Sequence, residues 1–218
     1  MKNVTHNVDI QVKICGLTNL DDAKAALDLG ADFLGFVLYE KSPRFVSPSR
    51  LQYITDHLAS GVRAVGVFVN RSRIEVLKIA RDCGLFAVQI HGLESSNEFM
   101  NMPLPLWRSV FFGNSGVNPQ PSEWKADRYI IDVKAPGKYD GLGLTADWKR
   151  AAGFSRKWPS MLAGGLNEWN VIDAVRKVRP LGVDVSSGIE KKPGRKDRKK
   201  LELFIHRAKS LSCKKGER

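Results

Sequence analysis

Residues 8–38, VDIQVKICGLTNLDDAKAALDLGADFLGFVL, decide the fold class. An apolar run ending at Ile14-Cys15 gives way to a segment with Leu20, Ala23 and Leu27 at helical spacing. Gly30 stops that segment, and a second apolar run follows over 32–38. A strand, a helix and a strand of this kind make a parallel βαβ unit. The same alternation continues: runs at 8–15, 32–38, 63–69, 86–91, 106–112, 128–134, 159–163 and 182–187 predict strands, with amphipathic stretches between them. The runs are Val/Ile/Leu/Phe-rich with little two-residue alternation, as expected where both faces of a parallel sheet are covered. Helix starts are readable too. Thr18 with Asp21 reads as the first cap, Ser47-Pro48 as the second, and Ser72 with Glu75 as a capping box for a third helix ending at Cys83-Gly84. Asn167 reads as the cap of a later helix carrying Val171, Val175 and Val178. Segments 93–105 and 113–127, rich in Asn, Ser, Pro and Gly, predict short or irregular helices. No linker or repeat divides the 218 residues, so the expectation is a single α/β domain, a (β/α)8 TIM barrel over 1–218.

Charge and cysteines limit the function classes. The net charge is +12, but 12 Lys/Arg against 4 Asp/Glu lie in residues 190–218 alone. There Leu201, Phe204, Ile205, Ala208 and Leu211 mark an apolar helical stripe, and Lys196, Arg198, Lys199 and Arg207 are expected on its solvent side. No aromatic residues interleave with these cations, so the tail reads as a solvated basic face and not as a nucleic-acid site. A positive field would still draw in an anionic substrate. The N-terminus lacks a signal peptide's apolar stretch, and no run reaches membrane-span length. Cys15, Cys83 and Cys213 share no metal-ligand spacing, which fits reduced thiols in a cytoplasmic protein without a metal site.

In a closed barrel, residues at strand C-termini gather at one mouth. Period-two geometry turns Lys13 and Cys15 into the lumen. On the eighth strand Asp184 and Ser186 share a face, and closure brings that strand beside the first, so Asp184 is expected to neutralise Lys13. A neighbouring ammonium would raise the thiolate fraction of Cys15 and improve it as a base, whereas alone a free cysteine is more often a small core residue. Asp132, after the apolar Tyr129-Ile130-Ile131, is expected at the mouth with a carboxyl whose pKa burial raises; the plainer alternative is a pair with Lys134. Glycine-rich turns at Gly164-Gly165 and Ser186-Ser187-Gly188 follow the seventh and eighth strands, where barrels commonly grip phosphate. His91 is the one histidine at a strand end.

Read together, these segments resemble phosphoribosylanthranilate isomerase, a tryptophan-pathway barrel. The likeness is carried by VKICGLTNLDDAKAALDLGADFLGFVLYEKSPRFVSP (12–48), VGVFVN (65–70), VQIHGLE (88–94), IDVKAPGKYDGLGLTADW (131–148), LAGGLNEWNV (162–171) and GVDVSSGIE (182–190). It implies a cofactor-free Amadori rearrangement of a phosphoribosylated anthranilate into its aminodeoxyketose isomer. On that resemblance Cys15 is the general base and Asp132 the general acid. Arg44 meets the anthranilate carboxylate, His91 is a further substrate contact, and Gly164, Gly165, Ser186, Ser187 and Gly188 hold phosphate. The partner is this small phosphorylated substrate; the protein is expected as a monomer or homodimer with no membrane or nucleic-acid role. A first-strand cysteine argues against indole-glycerol-phosphate synthase, with its lysine and glutamate chemistry, and against the histidine-pathway isomerase, with its carboxylate pair. A barrel without activity, serving as a basic scaffold, is the alternative from another class. One stretch departs from the family pattern. Asp140-Gly141-Leu142-Gly143 stands where a Gly-Gly-Thr-Gly-like turn is usual, and Ala146 precedes Asp147-Trp148. The added charge and lost hydroxyl predict a raised KM with kcat intact.

Overall fold

The computed structural model describes residues 7–113, 116–132 and 143–214. Eight parallel strands form a closed ring: β1 (Gln11–Ile14), β2 (Phe33–Val37), β3 (Ala64–Phe68), β4 (Ala87–Ile90), β5 (Leu106–Gly113), β6 (Arg128–Asp132), β7 (Ser160–Ala163) and β8 (Gly182–Val185). Each strand pairs with its sequence neighbours, and β8 closes on β1 with Asp184 opposite Lys13. This is the (β/α)8 barrel expected, with all eight strands near their anticipated positions. Phe33, Val65, Ala87, Trp107, Ile130, Met161 and Ala163 fill the lumen below the mouth. A larger apolar layer lies between strands and helices.

The helices are α1 (Leu20–Asp28), α2 (Pro48–Asp56), α3 (Arg73–Asp82), α4 (Pro121–Trp124), α5 (Gly143–Ser155), α6 (Val171–Val178) and α7 (Arg198–Lys209). Ser47 caps α2 through the Arg50 N–H, and the Ser72–Glu75 capping box opens α3. Among the described residues, the segments predicted irregular hold a 3₁₀ turn at Ser96–Phe99, a short strand at Gly116–Asn118 antiparallel to the end of β5, and the single turn of α4. Two caps differ from expectation. Asn19, not Thr18, caps α1, accepting from the Asp22 N–H at 2.9 Å, because Thr18 donates its hydroxyl to the Gly194 carbonyl at 2.6 Å. Asn167 accepts from the N–H groups of Trp169 and Asn170, so it closes a turn, and α6 begins only at Val171.

On α7 the apolar stripe is buried and Arg198 and Lys199 are exposed, as expected. Arg207 and Lys196 are the exceptions: Arg207 is half-buried and donates to the Glu168 carbonyl at 2.5 Å, and Lys196 is 3% exposed, in a short antiparallel pair of Glu190–Lys192 with Arg195–Lys196. A further antiparallel pair joins Asn7–Asp9 to Ser212–Lys214. The Lys134 alternative, the last residues of the 128–134 strand reading and the Asp140-Gly141-Leu142 turn lie outside the described residues.

Candidate active site

Because side chains alternate along each strand, β1 sends Lys13 and Cys15 inward and β8 sends Asp184. Lys13 is fully buried and donates from Nζ to both Asp184 carboxylate oxygens, at 3.0 and 3.1 Å. Burial alone would pull the Lys13 pKa down, but the Asp184 carboxylate and the Cys15 sulfur offset it, and the ammonium ends above its ordinary value. The pair foreseen from the alternation is therefore present and charged.

Cys15 departs from expectation in one respect. Burial pushes its thiol above the ordinary value, and Asp184 adds to this, while the nearby Lys13 ammonium opposes it without winning. The thiol is neutral near pH 7 when the site is open to water. Proximity of Lys13 was readable from the strand period; the desolvation that outweighs it was not.

All nine anticipated site residues line one cavity of about 540 Å³ at the strand C-termini: Cys15, Arg44, His91, Asp132, Gly164, Gly165, Ser186, Ser187 and Gly188. Cys15 follows β1 and Asp132 ends β6, three places apart around a ring of eight, so the thiol and the half-buried carboxyl flank the opening. Gly164 and Gly165 both take positive φ, +84° and +68°, where any side chain is strained. At Gly188 a Cβ would run into the Leu166 carbonyl oxygen, so glycine there lets the loop after β8 close against the loop after β7. The buried Ser186 hydroxyl has no partner among the described residues, which leaves a donor at this junction for an anion. A smaller cavity, about 210 Å³, lies away from the mouth and is lined by Thr55, Asp56, residues 58–62, Ala64, Cys83 and Gly84. It brings together no acid, base and anion site, so the chemistry belongs to the larger one.

His91 stands in a buried relay. The Gln89 amide donates to Ser109 Oγ at 3.0 Å, and Ser109 Oγ lies 2.6 Å from His91 Nδ1. The fully buried Ser109 hydroxyl needs an acceptor for its own hydrogen, which makes Nδ1 the acceptor and places the ring proton on Nε2. Burial, with Arg108 and Lys13 nearby, holds the His91 pKa at about 4, so the ring is neutral at physiological pH.

Arg44 reaches the cavity from the loop after β2, but its fork is engaged. Nε and Nη2 donate to the two Glu190 oxygens at 2.9 and 2.6 Å. Lys196 Nζ donates to Glu190 Oε1 at 3.0 Å, to the Cys15 carbonyl at 2.6 Å and to the Ser186 carbonyl at 3.2 Å. The sequence reading missed Glu190 and Lys196. Their one signal was Pro193-Gly194, a turn dipeptide between them that predicts a hairpin. Among the described residues, no group of three His, Cys, Asp or Glu side chains is placed to hold a metal, and no helix is long and apolar enough to cross a membrane.

A barrel mouth of this construction is shared by many enzymes, and similarity to known proteins narrows it. A family model described as N-(5'-phosphoribosyl)anthranilate (PRA) isomerase matches residues 12–207. The chain belongs to this family. With it comes membership of the isomerase class of enzymes. The N-(5'-phosphoribosyl)anthranilate isomerase of Pelobacter propionicus is 40% identical over 200 residues, 92% of this chain and 96% of that one. The crystal structure of the isomerase from Thermotoga maritima superposes with a TM-score of 0.81 at 37% identity, covering 93% of this chain and all of that one. A family structure in complex with reduced 1-(o-carboxyphenylamino)-1-deoxyribulose 5-phosphate gives 0.77 at 34% identity, again covering 93% and 100%.

Proposed function

We propose that the chain catalyses the cofactor-free rearrangement of N-(5-phosphoribosyl)anthranilate to 1-(2-carboxyphenylamino)-1-deoxyribulose 5-phosphate, in cytoplasmic tryptophan biosynthesis. The observation that carries the reading is the one cavity in which a thiol, a carboxyl, a guanidinium and a glycine-lined anion site meet, within a chain of this family. Asp132 protonates the furanose ring oxygen, and the ring opens to a Schiff base. Cys15 as thiolate removes the proton from C2, leaving an enolamine that tautomerises to the ketone. Each positioned proton transfer supplies roughly 10²–10⁴-fold in rate. No electrons leave the substrate, since C1 is reduced as C2 is oxidised.

Three surrounding groups support the pair. Gly164, Gly165, Ser186, Ser187 and Gly188 take the phosphate, consistent with the positive φ values and the unpartnered Ser186 hydroxyl. Arg44 takes the ring carboxylate with the guanidinium hydrogens Glu190 leaves. His91, as a neutral Nε2–H donor, contacts the substrate between them. Lys13, beside Cys15, opposes the burial that keeps the thiol protonated and stabilises the thiolate that takes the C2 proton. The whole chain acts as one barrel domain.

The test is turnover. Purified protein should consume freshly made N-(5-phosphoribosyl)anthranilate, followed by loss of anthranilate fluorescence, and should restore growth of a tryptophan auxotroph lacking this isomerase. Folded protein that does neither would return the barrel to the scaffold reading.

A further inference from the structure

The short hairpin after β8 sits beneath the cavity's edge and ties three of its walls together. Lys196, nearly buried, donates at once to the Cys15 carbonyl at the end of β1, the Ser186 carbonyl at the end of β8 and the Glu190 carboxylate. Glu190, 9% exposed, spends both oxygens on the Arg44 fork and receives the Gly194 N–H at 3.3 Å as well. The hairpin is itself fixed from outside: the Lys196 N–H donates to Asp22 at the start of α1, and the Asp197 N–H to the Ile189 carbonyl. Gly16, at φ +72°, lets Arg44 lie against the end of β1, since a Cβ there would come within 2.6 Å of Arg44 Cδ and 2.7 Å of Ser186 Oγ.

A guanidinium has five N–H groups on two bidentate edges. Glu190 occupies the Nε/Nη2 edge, and the Nη1/Nη2 edge remains. The geometry points to Glu190 and Lys196 as positioning residues: Glu190 holds Arg44 by one edge so that the other is presented to the substrate's ring carboxylate, and Lys196 balances Glu190 while anchoring the strand ends that carry Cys15 and Ser186. The ion set of half-buried Arg44 with buried Glu190 and Lys196 keeps one net positive charge, which suits a single incoming carboxylate. Two cations on one glutamate also explain why its carboxyl, although burial alone would raise its pKa, sits below its ordinary value and stays ionised. A lone arginine on a loop would lose rotamer freedom on meeting the substrate; one already clamped loses less.

The inference rests on the isomerase reading above, and the test separates the two. The probes are reduced 1-(o-carboxyphenylamino)-1-deoxyribulose 5-phosphate and the same compound lacking the ring carboxylate, with Kd measured by titration for wild type, Glu190→Gln and Arg44→Lys. Glu190→Gln is isosteric and should weaken the carboxylate-bearing probe about tenfold, the scale of one misplaced charge-assisted hydrogen bond, while changing the other by less than about twofold. Arg44→Lys keeps the charge but cannot serve both carboxylates from two edges, so it should show the same selective loss. If Glu190→Gln does not fold, Glu190→Asp, which keeps the charge but draws the carboxylate back from the Arg44 fork by one methylene, carries the comparison, with the same selective loss expected. Equal weakening of both probes, or of neither, overturns the positioning role and leaves the isomerase reading intact. Wild type that binds neither probe overturns both.

Discussion

Lowering the pH should destabilise this protein through His91, by an amount the relay around it fixes. The folded ring has a pKa of about 4 against an ordinary 6.5, because burial, Arg108 and Lys13 all oppose the imidazolium. Protonation would also set a second N–H against Ser109, whose hydroxyl already donates to Nδ1. The unfolded chain therefore takes up the proton first. Stability attributable to His91 is fully present above about pH 6.5, falls as pH drops towards 4, and levels off below that. The full difference is worth about 3 kcal/mol, and between pH 7.5 and 5.5 about 1 kcal/mol of it should be lost. Urea unfolding of wild type and His91→Asn at both pH values isolates the term, since an asparagine oxygen near the place of Nδ1 still accepts from Ser109. Wild type should lose about 1 kcal/mol more than the variant over this interval. Equal losses in the two proteins would refute the buried neutral relay.

The raised Cys15 thiol gives a chemical counterpart: alkylation of Cys15 by iodoacetamide in the free enzyme, read on its peptide by mass spectrometry, should keep accelerating as pH rises through 9, and a plateau already reached at pH 7–8 would contradict the burial argument. Lys13→Met leaves Asp184 charged and buried without its partner and should cost about 3–5 kcal/mol in urea unfolding, whereas Lys13→Met with Asp184→Leu should recover part of that. Recovery of nothing in the double variant would mean the site tolerates no apolar pair there.

The sequence exposed the barrel because its signals are local and repeated. Apolar runs at regular spacing fix eight strands, and closure then follows from making the first and last neighbours. Cys15, Lys13 and Asp184 were legible for the same reason, since two-residue alternation assigns each to the lumen. Asp132 was singled out at a strand end after an apolar lead-in and His91 as the histidine at a strand end, while Arg44 needed the family resemblance to gain a role; the cavity shows only that they share a wall. Glu190 and Lys196 escaped because their meaning is tertiary. Lys196 sits in KKPGRKDRKK, where a run of cations reads as solvated surface, and nothing local says that one of them turns inward onto the β1 carbonyl. Thr18 failed as a cap for a like reason: the hairpin carbonyl of Gly194, far along the chain, takes its hydroxyl. The Cys15 pKa went the other way from expectation because a sequence shows which charges are near but not how much water is lost.

The central claim is that Cys15 and Asp132 move the protons of the rearrangement, and the most direct measurement is kcat of Cys15→Ala and Asp132→Ala beside wild type on N-(5-phosphoribosyl)anthranilate. Each variant should melt near the wild-type temperature and still bind the reduced ketose analogue, yet lose roughly 10²-fold or more in kcat. Either variant turning over near the wild-type rate while folded would contradict it.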